Sequence, residues 1–276
     1  MPSRLGRNLR KGHLAEDIGI SALRAFSAVA DVRHQDDIGV DAYCVLLRPE
    51  NQLLFAEDPF SVQFKAASIQ TIKYNTSSIN WFTSLQIPLF FGRVDVSTGV
   101  VLFYTASKYR EQLYKVQEPS EIVLNFDSEE SFSDEKKINV GLHPPIMACD
   151  ERSSRTDKFA AHAYSHFKKW ISFEKRAIEL QRFNIHITPK WEWGGEPNLF
   201  FTGSRTRIPE RIEHMESALP IIDKLAFHAM GTSDCDPNLL KAFIRVFRWF
   251  EEQGFNSEDL PINILSSTMN EWKDLQ

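Results

Sequence analysis

The spacing of apolar residues changes character once along this chain, and that change limits what it can fold into. Up to about residue 150 they recur in short runs with the period of a strand, and beyond it they recur at helical spacing over long stretches. The clearest short run is FSVQFKA (60–66), in which Phe60, Val62 and Phe64 face one way and Ser61, Gln63 and Lys65 the other. GVDAYCVLL (39–47), IPLFFGRVDV, GVVLFYTAS, EIVLNFD (121–127) and INVGL (138–142) read as further strands, with a turn around Ser97 to Gly99. Helices are expected from about His13 to Ala30, where Leu14, Ile18, Leu23 and Phe26 fall near i, i+3, i+4 spacing, and over 76–85 behind a Thr or Ser cap. This order predicts an α/β (α+β mixed) fold with a mostly helical C-terminal region.

After Asp150 three long helical patterns follow, TDKFAAHAYSHFKKWISFEKRAIELQRF, RIPERIEHMESALPIIDKLAFHAM and DPNLLKAFIRVFRWFEEQG. The irregular stretch ITPKWEWGGEPNLFFTG (187–203) separates the first two, and its Trp191, Trp193, Phe200 and Phe201 are expected to pack it onto its domain, the alternatives being stacking on bases or a partner interface. A boundary near 150 therefore divides the chain into 1–150 and 151–276, the second part expected to serve assembly or partner binding. In its last helix Phe243, Val246, Phe247 and Phe250 are the expected core, with Arg245 and Arg248 on another face. His162 and His166 have the i, i+4 spacing of a zinc pair, but Ala163 stands where a metalloprotease needs Glu, so an ordinary helix face is expected.

Composition narrows the function classes. With 42% hydrophobic and 25% charged residues the 276-residue chain has the balance of a folded globular protein. No apolar run approaches the roughly 18 to 20 residues of a membrane span, and the basic N-terminus lacks the apolar stretch of a signal peptide, so no membrane partner and a cytoplasmic location are expected. Cys44, Cys149 and Cys235, odd in number and far apart, read as reduced thiols. The net charge of -5 argues against a broad basic surface for nonspecific nucleic-acid binding. That charge is polarised: the first eleven residues carry Arg4, Arg7, Arg10 and Lys11 and no acid, whereas Asp127, Glu129, Glu130, Asp134 and Glu135 crowd one expected surface loop. The four N-terminal cations are candidate phosphate contacts. Neither a GxxxxGK[ST] phosphate loop nor a GxSxG elbow is present.

One constellation carries chemistry. Glu16 lies in the first helix, Asp41 closes Asp37-Ile38-Gly39-Val40-Asp41 at the start of a strand, and Gln63 and Lys65 share a face of the next. Two carboxylates and an amide oxygen are hard ligands suited to Mg²⁺ or Mn²⁺, and a nearby ammonium suits a phosphoryl transition state. Gly39 suits a tight backbone where the chain enters the strand.

Asp41 followed by Gln63-Phe64-Lys65, with Ala15-Glu16 on the preceding helix, resembles the PD-(D/E)XK nuclease core in its Gln-x-Lys variant, as in Mrr-type restriction endonucleases. Trp81, Ile87-Pro88 and the strands GRVDV and VVLFYTA are similar to the domain-of-unknown-function-4365 branch, whose members are often encoded near restriction or phage-defence genes. The likeness spans about residues 10 to 125. It implies a restriction-endonuclease-like core with a central mixed sheet flanked by helices, and a metal-dependent DNA endonuclease of restriction or anti-phage defence. Asp41 would be the principal metal ligand, Glu16 the helical carboxylate, Gln63 the substitute for an acidic ligand, Lys65 the catalytic lysine and Asp37 a supporting residue. The alternative is a catalytically inactive nuclease fold that acts as a subunit of a larger complex. A homo-oligomer or a protein partner, joined through the helical region, is expected in either case.

Overall fold

Residues 7–32, 39–116, 119–134, 136–150, 152–181, 185–204, 208–230, 237–252, 254, 255 and 262 are described by a computed structural model. In chain order its elements are α1 (Arg7–Leu23), β1 (Ser27–Asp31), β2 (Ala42–Glu50), β3 (Leu53–Ala66), β4 (Thr71–Asn75), α2 (Thr76–Ser84), β5 (Leu89–Asp95), β6 (Val100–Thr105), α3 (Ser107–Lys115), β7 (Glu121–Asn125), β8 (Phe132–Asp134), β9 (Lys137–Gly141), β10 (Met147–Cys149), α4 (Asp157–Gln181), β11 (Ile185–Lys190), β12 (Asn198–Ser204), α5 (Ile208–Met230) and α6 (Pro237–Glu252). They divide into two compact units, Met1–Arg205 and Thr206–Gln276.

Among the described residues of the first unit, six strands form a mixed sheet in the order β1-β2-β3-β5-β6-β10, flanked by helices. Only the β3–β5 pairing is parallel; α2 lies within the connection between those two strands. The period-two alternation of FSVQFKA becomes two separate cores. Val62 and Phe64 join Phe90, Phe103 and the buried sides of α1 and α4, where the Phe167 ring stands 4.9 Å from Phe26, 5.2 Å from Phe90 and 5.3 Å from Phe103. The opposite face contributes Leu89, Phe91 and Tyr104 to a core closed by α2, α3 and a second sheet of order β4-β7-β9-β8. On that face Ser61 and Gln63 are buried, and Lys65, toward the end of β3, is half-buried.

The long Asp41 to Gln63 connection is a β-hairpin. β2 and β3 pair antiparallel around a turn in which Asn51 takes φ 55°, a left-handed conformation that Asn tolerates. Glu57, Asp58 and Pro59 lie within β3. Pro59 is accommodated because β5 begins pairing only at Ser61, so the missing N–H costs no ladder bond on that side. Glu57 and Asp58 bind Lys168 of α4, each at 2.7 Å, and Asp58 also bonds Lys175, tying the hairpin to α4.

Several elements differ from the sequence expectation. α1 ends at Leu23, and the segment continued as helix to Ala30 instead turns and supplies β1 along β2. Ser27 fixes this exit, its buried hydroxyl donating to the Leu23 carbonyl at 2.8 Å. The stretch 187–203 contains a two-stranded ribbon, β11 with β12. The division expected near residue 150 falls inside the first unit, because α4 buries Ala163, Phe167, Trp170 and Ile171 in the same core as α1 and β3. A buried ion pair supports this packing: Glu174 of α4 bonds Arg110 of α3 and accepts from the Thr105 and Ser107 hydroxyls. In the acidic segment, Asp127 pairs with Arg93 and Glu129 with His143, so part of it anchors structure.

In the second unit Ala226, Ala229, Leu240, Ile244, Phe247 and Phe250 form a small core between α5 and α6. Val246, expected in that core, is instead 37% exposed, because it lies on the helix face turned away from Ile244 and Phe247. Cys44 and Cys149 are free and buried, and burial pushes each thiol up to about 12; Cys235 lies outside the described residues. No described helix is long and apolar enough to cross a membrane.

Candidate active site

Where β2 enters the sheet, Gly39 adopts φ 87°, a conformation that L side chains rarely take. Trp81 of α2 closes the same point, since a Cβ on Gly39 would stand 2.8 Å from the indole. Two residues on, the Asp41 amide donates to the Val62 carbonyl at 2.9 Å, and the Ala42–Val62 pairing sets Asp41 opposite Gln63. Opposed residues of an antiparallel pair point to one face. Asp41, Gln63 and Lys65 therefore share a face of the β2–β3 pair, as the alternation requires.

Hydrogen bonds orient two of the three. The Asp41 carboxylate accepts from the Phe64 backbone amide through Oδ2 at 2.5 Å, which draws it across to β3. Gln63, 8% exposed, accepts through Oε1 from the Tyr74 phenol of β4 at 2.6 Å. Burial, and secondarily the Asp41 charge, hold the Tyr74 phenol above its ordinary range, so it remains a donor. Lys65 is half-buried and lies beside Arg93 on β5. Asp127 engages Arg93, whereas no carboxylate pairs with Lys65 among the described residues. The site thus has an ammonium uncommitted to a described carboxylate next to a neutralised guanidinium.

Glu16 is carried by α1. Its helix packs on the opposite face, where Gly19 sits directly against the Phe64 ring, and Glu16 is half-buried at the flank of the stripe formed by Ala15, Leu23 and Phe26. Asp37 and Arg4 lie outside the described residues; Arg7 and Arg10 belong to α1 by backbone, and Lys11 is exposed on it.

Asp41 and Gln63 suit a hard divalent ion: a carboxylate, and an amide oxygen with a second lone pair beyond its bond to Tyr74. Among the described residues no group of three or more His, Cys, Asp or Glu side chains gathers. A metal here would rely on one or two carboxylates, the amide and water, a donor set that Mg²⁺ accepts. Beside Gln63 opens a polar cleft of ≈ 430 Å³, lined by Gly39, Lys73, Tyr74, Ser77, Ser78 and Trp81 among others.

Two features escaped the sequence reading. Tyr74 was legible only through the weak alternation of Ile72 and Tyr74 in TIKYN, and its partnership with Gln63 depends on the second sheet. Glu174 and Arg110, 64 residues apart, left no sequence signal. His166 is held on the Ile146 carbonyl at 2.8 Å and its pKa is lowered by burial, which agrees with a structural helix face. No family model matches the chain, and neither a curated protein nor a solved structure does.

Proposed function

We propose that this protein is a metal-dependent endonuclease that hydrolyses DNA phosphodiester bonds, acting in the cytoplasm in restriction or anti-phage defence. The single observation that carries the reading is the shared face of Asp41, Gln63 and Lys65 across β2 and β3, with the Asp41 carboxylate locked by the Phe64 amide. Asp41 and the Gln63 carbonyl oxygen would hold Mg²⁺ or Mn²⁺, with Glu16 as a further carboxylate. When bound, such an ion lowers the pKa of a water and polarises a phosphoryl oxygen. Lys65 orients the attacking water and offsets charge developing on the phosphate. The Phe64 amide keeps the Asp41 carboxylate aimed, and Tyr74 keeps Gln63 from turning away. Because α1 lies on the other face, removal of Glu16 is expected to weaken cleavage less than removal of Asp41.

The test is cleavage of plasmid and linear DNA with Mg²⁺ or Mn²⁺ by wild type, Asp41→Ala and Lys65→Ala. Nicking or linearisation by wild type, lost in both variants, is the expected result; cleavage that persists unchanged in both would overturn the assignment. The net charge of -5 favours a second reading, a nuclease-derived subunit that docks through its helical region, as a homo-oligomer or with a protein partner. Calorimetric titration with Mg²⁺ separates the two, since a scaffold has no reason to bind the ion at Asp41.

A further inference from the structure

We infer that the cleft between β4 and α2 binds one unpaired nucleotide of single-stranded DNA, adjacent to the phosphodiester presented to Asp41 and Gln63. The inference rests on the nuclease reading for its substrate class, although the binding it asserts needs no cleavage. At ≈ 430 Å³ the cleft lies in the size range of small-ligand sites, about 300 to 1,000 Å³. Its lining comes from β3, β4, α2 and the approach to β2, and it is a shallow cleft open to solvent.

The lining chemistry matches a nucleotide. Trp81, only partly buried, offers aromatic surface to a base, an interaction that every base can make. Gln63 is more than nine-tenths buried and lines the cleft; its oxygen holds Tyr74, and its amide nitrogen has no hydrogen-bond partner among the described residues. That N–H group and the Ser78 hydroxyl are available to a base edge. Lys73 is exposed at the rim, pairs with no described carboxylate, and supplies the cation that a phosphate needs.

Geometry selects an unpaired base over a paired one. A base within a duplex shows only its edges to the grooves. A base that stacks on Trp81 in this cleft exposes its face, so it has to leave the duplex stack or belong to a single strand. The chain's net charge of -5 also removes the broad electrostatic attraction that would hold a duplex nonspecifically.

The experiment measures binding by the full chain in EDTA, with a fluorescent oligothymidylate and a blunt hairpin duplex of equal length as probes. The proteins are wild type, Lys73→Glu and Ser78→Trp, the last filling the cleft. The expected result is wild-type preference for the single strand by roughly tenfold or more, and a loss of about tenfold in that affinity in each variant. Thermal unfolding checks that each variant is folded, and Lys73→Glu, a substitution at an exposed site, decides the matter if Ser78→Trp is not. Equal or tighter duplex binding by wild type, or wild-type single-strand affinity in Lys73→Glu, would overturn the proposal. If single-strand binding depends on the cleft while no cleavage depends on Asp41, the nuclease reading falls and the cleft stands. If cleavage depends on Asp41 while a folded Ser78→Trp binds as wild type, the cleft falls alone.

Discussion

Replacing Gly19 with Ala should destabilise the protein, although Gly to Ala inside a helix ordinarily stabilises by about 1 kcal/mol. The reason is Phe64, whose ring lies against both Gly19 of α1 and Gly92 of β5. A Cβ on Gly19 would meet three ring atoms, with even the Cζ atom only 2.6 Å away. Overpacking of a core costs about 1 to 3 kcal/mol, and a contact this close belongs at the upper end, so the net loss is about 2 kcal/mol. Phe64→Ala alone should cost about 3 to 5 kcal/mol by leaving a cavity. In that background the obstacle is gone, and Gly19→Ala should gain about 1 kcal/mol. The two substitutions are thus coupled by about 3 kcal/mol, the high end for residues in contact. Urea unfolding of the four proteins measures this directly from midpoints at constant m-value. If Gly19→Ala stabilises both backgrounds alike, the packing argument is wrong.

Tyr74→Phe should cost only about 1 kcal/mol in stability yet weaken Mg²⁺ binding in calorimetry, and unchanged affinity would detach Tyr74 from the metal-holding role of Gln63. Gly39→Ala should lose about 1 to 3 kcal/mol, from positive φ and the indole together, and an unshifted melting temperature would refute this. Glu174→Leu strands the buried Arg110 guanidinium and should cost about 3 to 5 kcal/mol by urea unfolding, much of it recovered on replacing Arg110 as well. Burial raises the Asp58 carboxyl, but Lys168 and Lys175 outweigh it and set the folded pKa below the ordinary 3.8. Its contribution is therefore complete above that value and lost as pH falls through the lower folded pKa. Unfolding midpoints from about pH 5 to 2.5 should decline less steeply in Asp58→Asn than in wild type.

The alternation in residues 60–66 was enough to place Gln63 and Lys65 together and Phe64 against them, because a strand leaves side chains only two directions. The capped segment 76–85 likewise matches α2, where Asn75 in fact provides the cap through its side chain at 3.1 Å from the Ser78 amide. β1 was not legible, since Ser27-Ala28-Val29-Ala30-Asp31 contains no helix breaker and becomes a strand only because β2 offers a ladder. The hairpin register was not legible either, because nothing local states that Glu57, Asp58 and Pro59 continue β3.

Residue type and spacing alone determined an α/β order of strands and helices, two polar residues on one strand face and a carboxylate ahead of them. Tertiary structure decided the rest. The β2–β3 register set Asp41 opposite Gln63, the second sheet brought Tyr74 to the Gln63 amide, and the packing of α1 on the Phe64 face set the helix that carries the half-buried Glu16. The division follows from range: alternation is a property of adjacent residues, whereas register, sheet stacking and helix placement depend on burying surfaces far apart in sequence.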